Sequence, residues 1–270
     1  MKKVGIIGCG NMGEVLIEAA SELAGSENVV CYDIDEKKLN KIKDKYKLNI
    51  ATSNPEVVKF SEVVIIAVKP QQIKALLEEI KSFINDNHVT VSIAAGVKIS
   101  TIEKVLGKRK QIIRVMPNLP LKVSCGVSAM CKNSFCKDVN YGFVKNLFGT
   151  KGVVLDVKEK FIDIITAISG SGPAYVFYIS EIIQKIARKL GLNKNIVEDL
   201  VNYTILGAAN MLIKEKISAE KLKNAVASKG GTTEQALDVF YKHNLEKIFY
   251  KAIYKAFKRA QQLSSLVDKG

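Results

Sequence analysis

The stretch VGIIGCGNMGEVLIEAA, residues 4–20, decides the fold. A short apolar run ends in Gly8-x-Gly10-x-x-Gly13 and passes straight into a helical pattern. Three glycines so spaced are common. Here strand, motif, helix and a second strand follow in order, and Asp33 closes that second strand twenty residues past Gly13. The glycines permit a tight turn and close backbone approach, while the helix start offers free N–H groups to a pyrophosphate. A dinucleotide is therefore expected against Gly8, Gly10, Asn11, Met12 and Gly13. The competing reading is a tight turn that holds nothing.

Working outward, residues 3–115 alternate apolar runs with amphipathic stretches. Strands are expected at Lys3–Gly8, Asn28–Asp33, Val63–Val68, Val89–Ile93 and Gln111–Val115, with helices near 11–24, 35–46, 71–84 and 99–106. VVIIAV and VTVSIAA lack alternation, as in strands covered on both faces. The pattern predicts an α/β, Rossmann-type, doubly wound parallel sheet. Residues 120–155 read as a short helix and extra strands that finish a first domain, 1–158. A second domain, 159–270, reads as all helical, with a long helix over 173–190 closing at Gly191. Residues 194–213 are apolar on nearly all sides and predict a helix buried in the protomer or within a subunit interface. The last helix sets Leu245, Ile248, Phe249, Ala252, Ile253, Ala256, Phe257 and Ala260 on one face. This much apolar surface predicts a dimerisation domain and an oligomer.

Composition narrows the function. Of 270 residues, 47% are hydrophobic and 25% charged, as in a folded globular protein. No uninterrupted apolar run is long enough to cross a bilayer, and the start lacks a signal-peptide cleavage site. The five cysteines include no CxxC pair, which predicts free thiols and a cytoplasmic protein. The +14 charge is spread on helix faces such as Lys247, Lys251, Lys255 and Lys258, with no basic run interleaved with aromatics. Neither nucleic acid nor a membrane is expected as a partner. His88 and His243 lack a ligand cluster, so no metal is expected. Without a nucleophile paired to a base, chemistry falls to the cofactor, which points to hydride transfer.

Other loops at strand ends should border the cofactor. Ala67, Val68, Lys69 and Pro70 end one strand, Ala94 and Ala95 another, and Asn54 joins this set. Lys69 reads equally as an exposed loop lysine. Asn118, between two prolines, is placed near the nicotinamide or serves only a rigid connection. A carboxylate at Asp33 hydrogen-bonds the ribose hydroxyls and repels a 2′-phosphate, so NADH is favoured over NADPH. A second glycine loop stands in ASKGGTTEQAL, residues 227–237. Thr232 and Gln235 fit a capping-box spacing, so this is either an ordinary helix start or an anion cradle.

GIIGCGNMG, AVKPQ, SIAAGVKIS, RVMPNLP, SGSGPAYVF and LKNAVASKGGTTEQALDVF occur together in the order and spacing of pyrroline-5-carboxylate reductase, and the chain resembles that family over essentially its whole length. The resemblance implies reduction of Δ1-pyrroline-5-carboxylate to L-proline by NADH or NADPH. It also implies a Rossmann domain followed by a helical domain, in homodimers that can form decamers. Ser228, Gly230, Gly231 and Thr232 would then hold the substrate carboxylate, with Ser171 and Gly172 beside them. Thr233 would face the imine nitrogen as the catalytic group. Two departures stand out. Lys229 replaces a usual proline, and Asp33 stands where many relatives carry a polar or basic residue. A β-hydroxyacid dehydrogenase would need a lysine and an asparagine that Tyr175–Ser180 lacks. A non-catalytic dinucleotide-binding regulator would need no second loop.

Overall fold

The computed structural model describes residues 2–269, with side chains through residue 265. The chain opens as β1 (Val4–Ile7), α1 (Asn11–Ala24), β2 (Val29–Tyr32), α2 (Glu36–Tyr46), β3 (Asn49–Ile50), α3 (Asn54–Phe60) and β4 (Val63–Ile66). It continues through α4 (Ile73–Ile80), β5 (Val89–Ser92), α5 (Ile99–Leu106) and β6 (Gln111–Pro117). Six strands run parallel in the order β3-β2-β1-β4-β5-β6. Every residue of β1, β4 and β5 is buried, which is why these runs are apolar without alternation. β7 (Gly126–Lys132) pairs antiparallel with β6, and β8 (Gly152–Asp156), reached through α6 (Asp138–Gly149), pairs parallel with β7.

Side chains from the helices fill both faces of the sheet. Leu16, Ile17 and Phe148 belong to one buried cluster, and Leu77, Ile80 and Ile102 to the other. Two small elements differ from expectation: β3 and α3 form where only a connection was expected. β3 spans two residues, and α3 is seven residues long, started by the Ser53 side chain and by Pro55. The helix expected over 71–84 is α4, with a single 3-10 turn before and after it.

Packing divides the chain into two compact units, one of residues 2–171 with 256–269, the other of residues 172–255. The first unit thus runs past residue 158 through α7 (Ile162–Ile165) and a π-helical turn, Thr166–Gly170. A polar knot holds this extension. Buried Arg114 on β6 reaches Glu159 at 3.0 Å and Asp163 at 3.6 Å. Glu159 also accepts the Ile99 N–H at 2.8 Å, and Ser264 Oγ lies 3.1 Å from Asp163 Oδ1. A Cβ on Gly96 would meet the Leu263–Ser264 backbone at 3.1 Å, so residues near 264 close down on the loop after β5.

The second unit comprises α8 (Gly172–Lys189), α9 (Lys194–Lys214), α10 (Ala219–Val226), α11 (Thr232–Lys242) and the first part of α12 (Leu245–Lys269). Burial of α9 within the protomer is not found: only Val197 and Val201 are buried, while Tyr203 and Ile213 are 70% and 75% exposed. The helical stretch 159–189 and α9 do reach the length and composition of a membrane span, contrary to the sequence expectation. Glu198 and Asp199 interrupt α9, however, and α8 and α9 carry apolar residues on open faces of the helical unit.

Candidate active site

The parallel order places β1 beside both β2 and β4, so the loops after these three strands meet at one sheet edge. The Gly8 N–H donates to the Tyr32 carbonyl at 2.8 Å, and the Ala67 N–H to the Ile7 carbonyl at 2.8 Å. Gly8 has φ +100°, and a Cβ there would lie 2.8 Å from the Ala67 carbonyl group. A Cβ on Gly13 would strike the Gly8 carbonyl oxygen at 1.9 Å. Both glycines are thus required by packing between strand, loop and helix. At Gly10 a Cβ would meet nothing within 4 Å. Gly10 is the cap residue of α1, and among the described residues no side chain bonds that helix start. Open space in front of unsatisfied N–H groups suits a phosphate.

A cleft of about 670 Å³ lies along this edge. It gathers Gly8, Gly10, Asp33, Asn54, Ala67, Val68 and Lys69 of the expected cofactor residues. The others stand outside its lining, each for a local reason. Asn11 is exposed and accepts a hydrogen bond from Lys122 at 3.2 Å. Met12 packs against the core, Gly13 is buried beneath Gly8, and Pro70 starts a 3-10 turn. Ala94 is buried and Ala95 half-buried. The Asn118 amide donates to the Ser169 carbonyl and hydroxyl at 3.2 and 3.1 Å, and its oxygen accepts the Val127 N–H at 2.8 Å. These bonds tie the loop after β6 to β7 and to the π-helical turn.

The rim of the cleft holds Lys38 and Gln72, together with Tyr32, Ile34 and Glu79, which the sequence reading passed over. Glu79 accepts the Asn54 amide at 2.9 Å, and Gln72 Oε1 accepts the Lys69 N–H at 3.2 Å. The available signal for Gln72 was its place in the loop at the end of β4. Glu79 had none, since it arrives through the packing of α4. The Asp33 carboxylate accepts the Cys9 N–H at 2.7 Å and the Asp35 N–H at 2.9 Å, which fixes it between the first loop and the turn after β2. Its remaining lone pairs can accept further hydrogen bonds. Asp35 caps α2 and pairs with Lys38 at 3.3 Å; the Lys38 backbone N–H and ammonium hold its carboxyl below the usual range. Glu14, in the first turn of α1, is turned to Lys45 at 2.9 Å, whose hydrogen bond lowers its pKa and offsets a charge that would repel phosphate.

The second loop is built within the helical unit. Its helix starts differently from expectation, because Gly231, not Thr232, is the cap residue of α11. Thr232 lies inside the first turn, and the acidic partner is Glu234, whose Oε2 accepts the Gly230 N–H at 2.6 Å. Without a side-chain cap, the N–H groups after Gly231 stay open to an anion. Ser171 lies just after the π-turn, with its N–H donating to the Thr166 carbonyl at 2.9 Å; Gly172 begins α8.

A second hollow, of about 770 Å³, has much of its polar lining engaged by the protein: Lys132 with Asp138, Tyr141 with Asp156, and Asn133 with Glu103. Burial pushes the Cys131 thiol up to about 12 and that of Cys136 to about 11, so neither is an activated nucleophile.

Known proteins match this arrangement in both halves. Residues 159–263 match the family model for pyrroline-5-carboxylate reductase dimerisation, and residues 3–96 the model for NADP oxidoreductase, coenzyme F420-dependent. A curated pyrroline-5-carboxylate reductase of Arabidopsis thaliana is 35% identical, covering 97% of this chain and 95% of its own. The chain belongs to the pyrroline-5-carboxylate reductase family. Among solved pyrroline-5-carboxylate reductases, that of Coxiella burnetii superposes with a TM-score of 0.91 at 35% identity, over 97% of this chain and 98% of its own. The Plasmodium falciparum pyrroline carboxylate reductase, solved with NADP bound, gives 0.88 at 29% identity over the same shares. The open α8 and α9 faces fall within the dimerisation match, which supports oligomer formation.

Proposed function

We propose that the protein reduces the C=N bond of Δ1-pyrroline-5-carboxylate to give L-proline, the last step of proline biosynthesis. The full-length match to pyrroline-5-carboxylate reductases carries the reading. The nicotinamide dinucleotide supplies the hydride. The chain's own residues bind and orient. Gly8 and Gly10 admit the pyrophosphate to the open start of α1, and Asp33 receives the ribose hydroxyls. Asn11, Met12, Gly13, Asn54, Ala67, Val68, Lys69, Pro70, Ala94, Ala95 and Asn118 complete the cofactor region assigned by sequence. The functional division is a cofactor domain, 1–158, and a substrate-binding helical domain, 159–270.

The substrate is anionic, and the uncapped start of α11 suits its carboxylate. Ser228, Gly230, Gly231 and Thr232 hold that group, with Ser171 and Gly172 as neighbours. The Thr233 hydroxyl donates to the ring nitrogen, which makes the imine carbon a better acceptor. NADH is preferred over NADPH because Asp33 meets the adenosine 2′-position. The chain works as a homodimer, assembling further into decamers in the cytoplasm. The test is oxidation of NADH and of NADPH in the presence of pyrroline-5-carboxylate. Turnover with NADH as the better donor is expected; no turnover with either would end the proposal.

A further inference from the structure

The second loop has a fixed geometry of its own. The Gly231 N–H donates to the Ser228 carbonyl at 3.0 Å, and Gly230 between them has φ +73°. That combination is a type II turn, Ser228–Gly231, with Lys229 at its first corner. A Cβ on Gly231 would lie 2.5 Å from Ser228 Oγ and 2.9 Å from its carbonyl oxygen, so the turn closes tightly. The first corner is where proline would lock φ; a lysine leaves that torsion free. A second constraint comes from the helix side. Glu234, third residue of α11, folds back and accepts the Gly230 N–H at 2.6 Å. In a capping box the third-position carboxylate reaches the cap residue itself. Here it reaches one residue earlier, into the middle of the turn.

We infer that Glu234 is a positioning residue for the substrate loop: its carboxylate clamps the Gly230 N–H and so holds the Ser228–Gly231 turn in register with the start of α11. The inference rests on the reading of this loop as the substrate cradle. The clamp acts through the backbone. It sets where the open N–H groups of α11 and the Thr233 hydroxyl point, and Lys229 makes it necessary by leaving the first corner unlocked. The clamp's essential feature is an acceptor oxygen, not a charge beside the helix start. An alternative role as a mere favourable charge in the first turn predicts different behaviour of the amide variant.

The experiment compares Glu234→Ala, Glu234→Gln, Lys229→Pro and the double variant Glu234→Ala/Lys229→Pro. Steady-state kinetics are run with pyrroline-5-carboxylate and NADH each varied, alongside amide exchange of a peptide covering residues 227–237. Glu234→Ala should lower kcat/KM for pyrroline-5-carboxylate about tenfold, the scale of one hydrogen bond, with the KM for NADH unmoved. Glu234→Gln, which keeps an acceptor oxygen, should recover most of that loss. Lys229→Pro should restore the Glu234→Ala variant by locking the corner independently. Exchange across the turn should quicken in Glu234→Ala and slow again in the double variant. The inference is overturned if Glu234→Gln is as impaired as Glu234→Ala, if the proline gives no recovery, or if exchange is unchanged. Exchange reads the clamp without turnover, so wild-type inactivity would remove the proposed function while leaving the clamp to be judged on its own.

Discussion

At the residue scale, the proposed function gives two side chains different duties. Thr233 has one hydroxyl to offer a reacting nitrogen, so Thr233→Ala should cut kcat about 100-fold while the KM for NADH stays put. Steady-state kinetics check this, and an unchanged kcat would remove Thr233 from the chemistry. Asp33 is held by two backbone N–H groups, from Cys9 and Asp35, and cannot swing away from a 2′-phosphate. Asp33→Ser should therefore raise the NADPH:NADH ratio of kcat/KM by about tenfold or more, the scale of one close charge repulsion. An unmoved ratio would refute the ribose assignment. The glycines and Asp33 were legible in the sequence because strand order alone brings their loops together. The cap of α11 was not: Gly, Ser and Thr all start helices, and only the backbone shows that Gly231 holds the position and Glu234 answers it.

At the scale of elements, two buried polar groups tie helices to the sheet. His88 accepts the Asn85 N–H at Nδ1 (3.0 Å) and turns Nε2 to the Val58 carbonyl at 3.2 Å, joining the start of β5 to α3. Burial pushes its pKa below the ordinary imidazole value. The neutral ring is thus favoured in the folded state, while the unfolded chain takes up a proton near pH 6.5. The stability this difference contributes is complete above about pH 6.5 and is lost as pH falls. Urea unfolding at pH 7.5 and 5.5 should show a drop in the wild type that is smaller in His88→Asn; equal drops would refute it. Lys151, buried between α6 and β8, bridges Glu18 and Glu22 of α1 at 2.6 and 2.7 Å. The glutamates are half-exposed, so Lys151→Ala should cost about 1–2 kcal/mol in urea unfolding, less than a fully buried pair. Most strands were legible as unbroken apolar runs, because burial on both faces leaves that imprint. β3 and α3 escaped since two residues and seven are too few to show a period. Glu79 and Tyr32 reach the cleft through packing that no local pattern encodes.

At the scale of the whole molecule, apolar faces of α8 and α9 lie open in the single chain and fall within the dimerisation match. Leu206, midway along α9 and 52% exposed, is a suitable probe. Sedimentation velocity at micromolar concentration should give an oligomer for the wild type and a shift toward monomer for Leu206→Asp; a monomeric wild type would contradict the interface. The apolar pattern of α9 predicted burial in the protomer or in a subunit interface, and the single chain leaves the helix mostly open, because a sequence does not say whether its own chain or a copy covers a face. The polar knot around Arg114 carries a different consequence, one of timing. Ser264 and the backbone beside Gly96 belong to the first unit, yet residues 256–265 leave the ribosome after the entire helical unit has been made. The first unit therefore waits during synthesis with its loop after β5 uncovered, and the late-made turn of α12 closes it. At that one place an early-made unit is completed only by the last-made part of the chain.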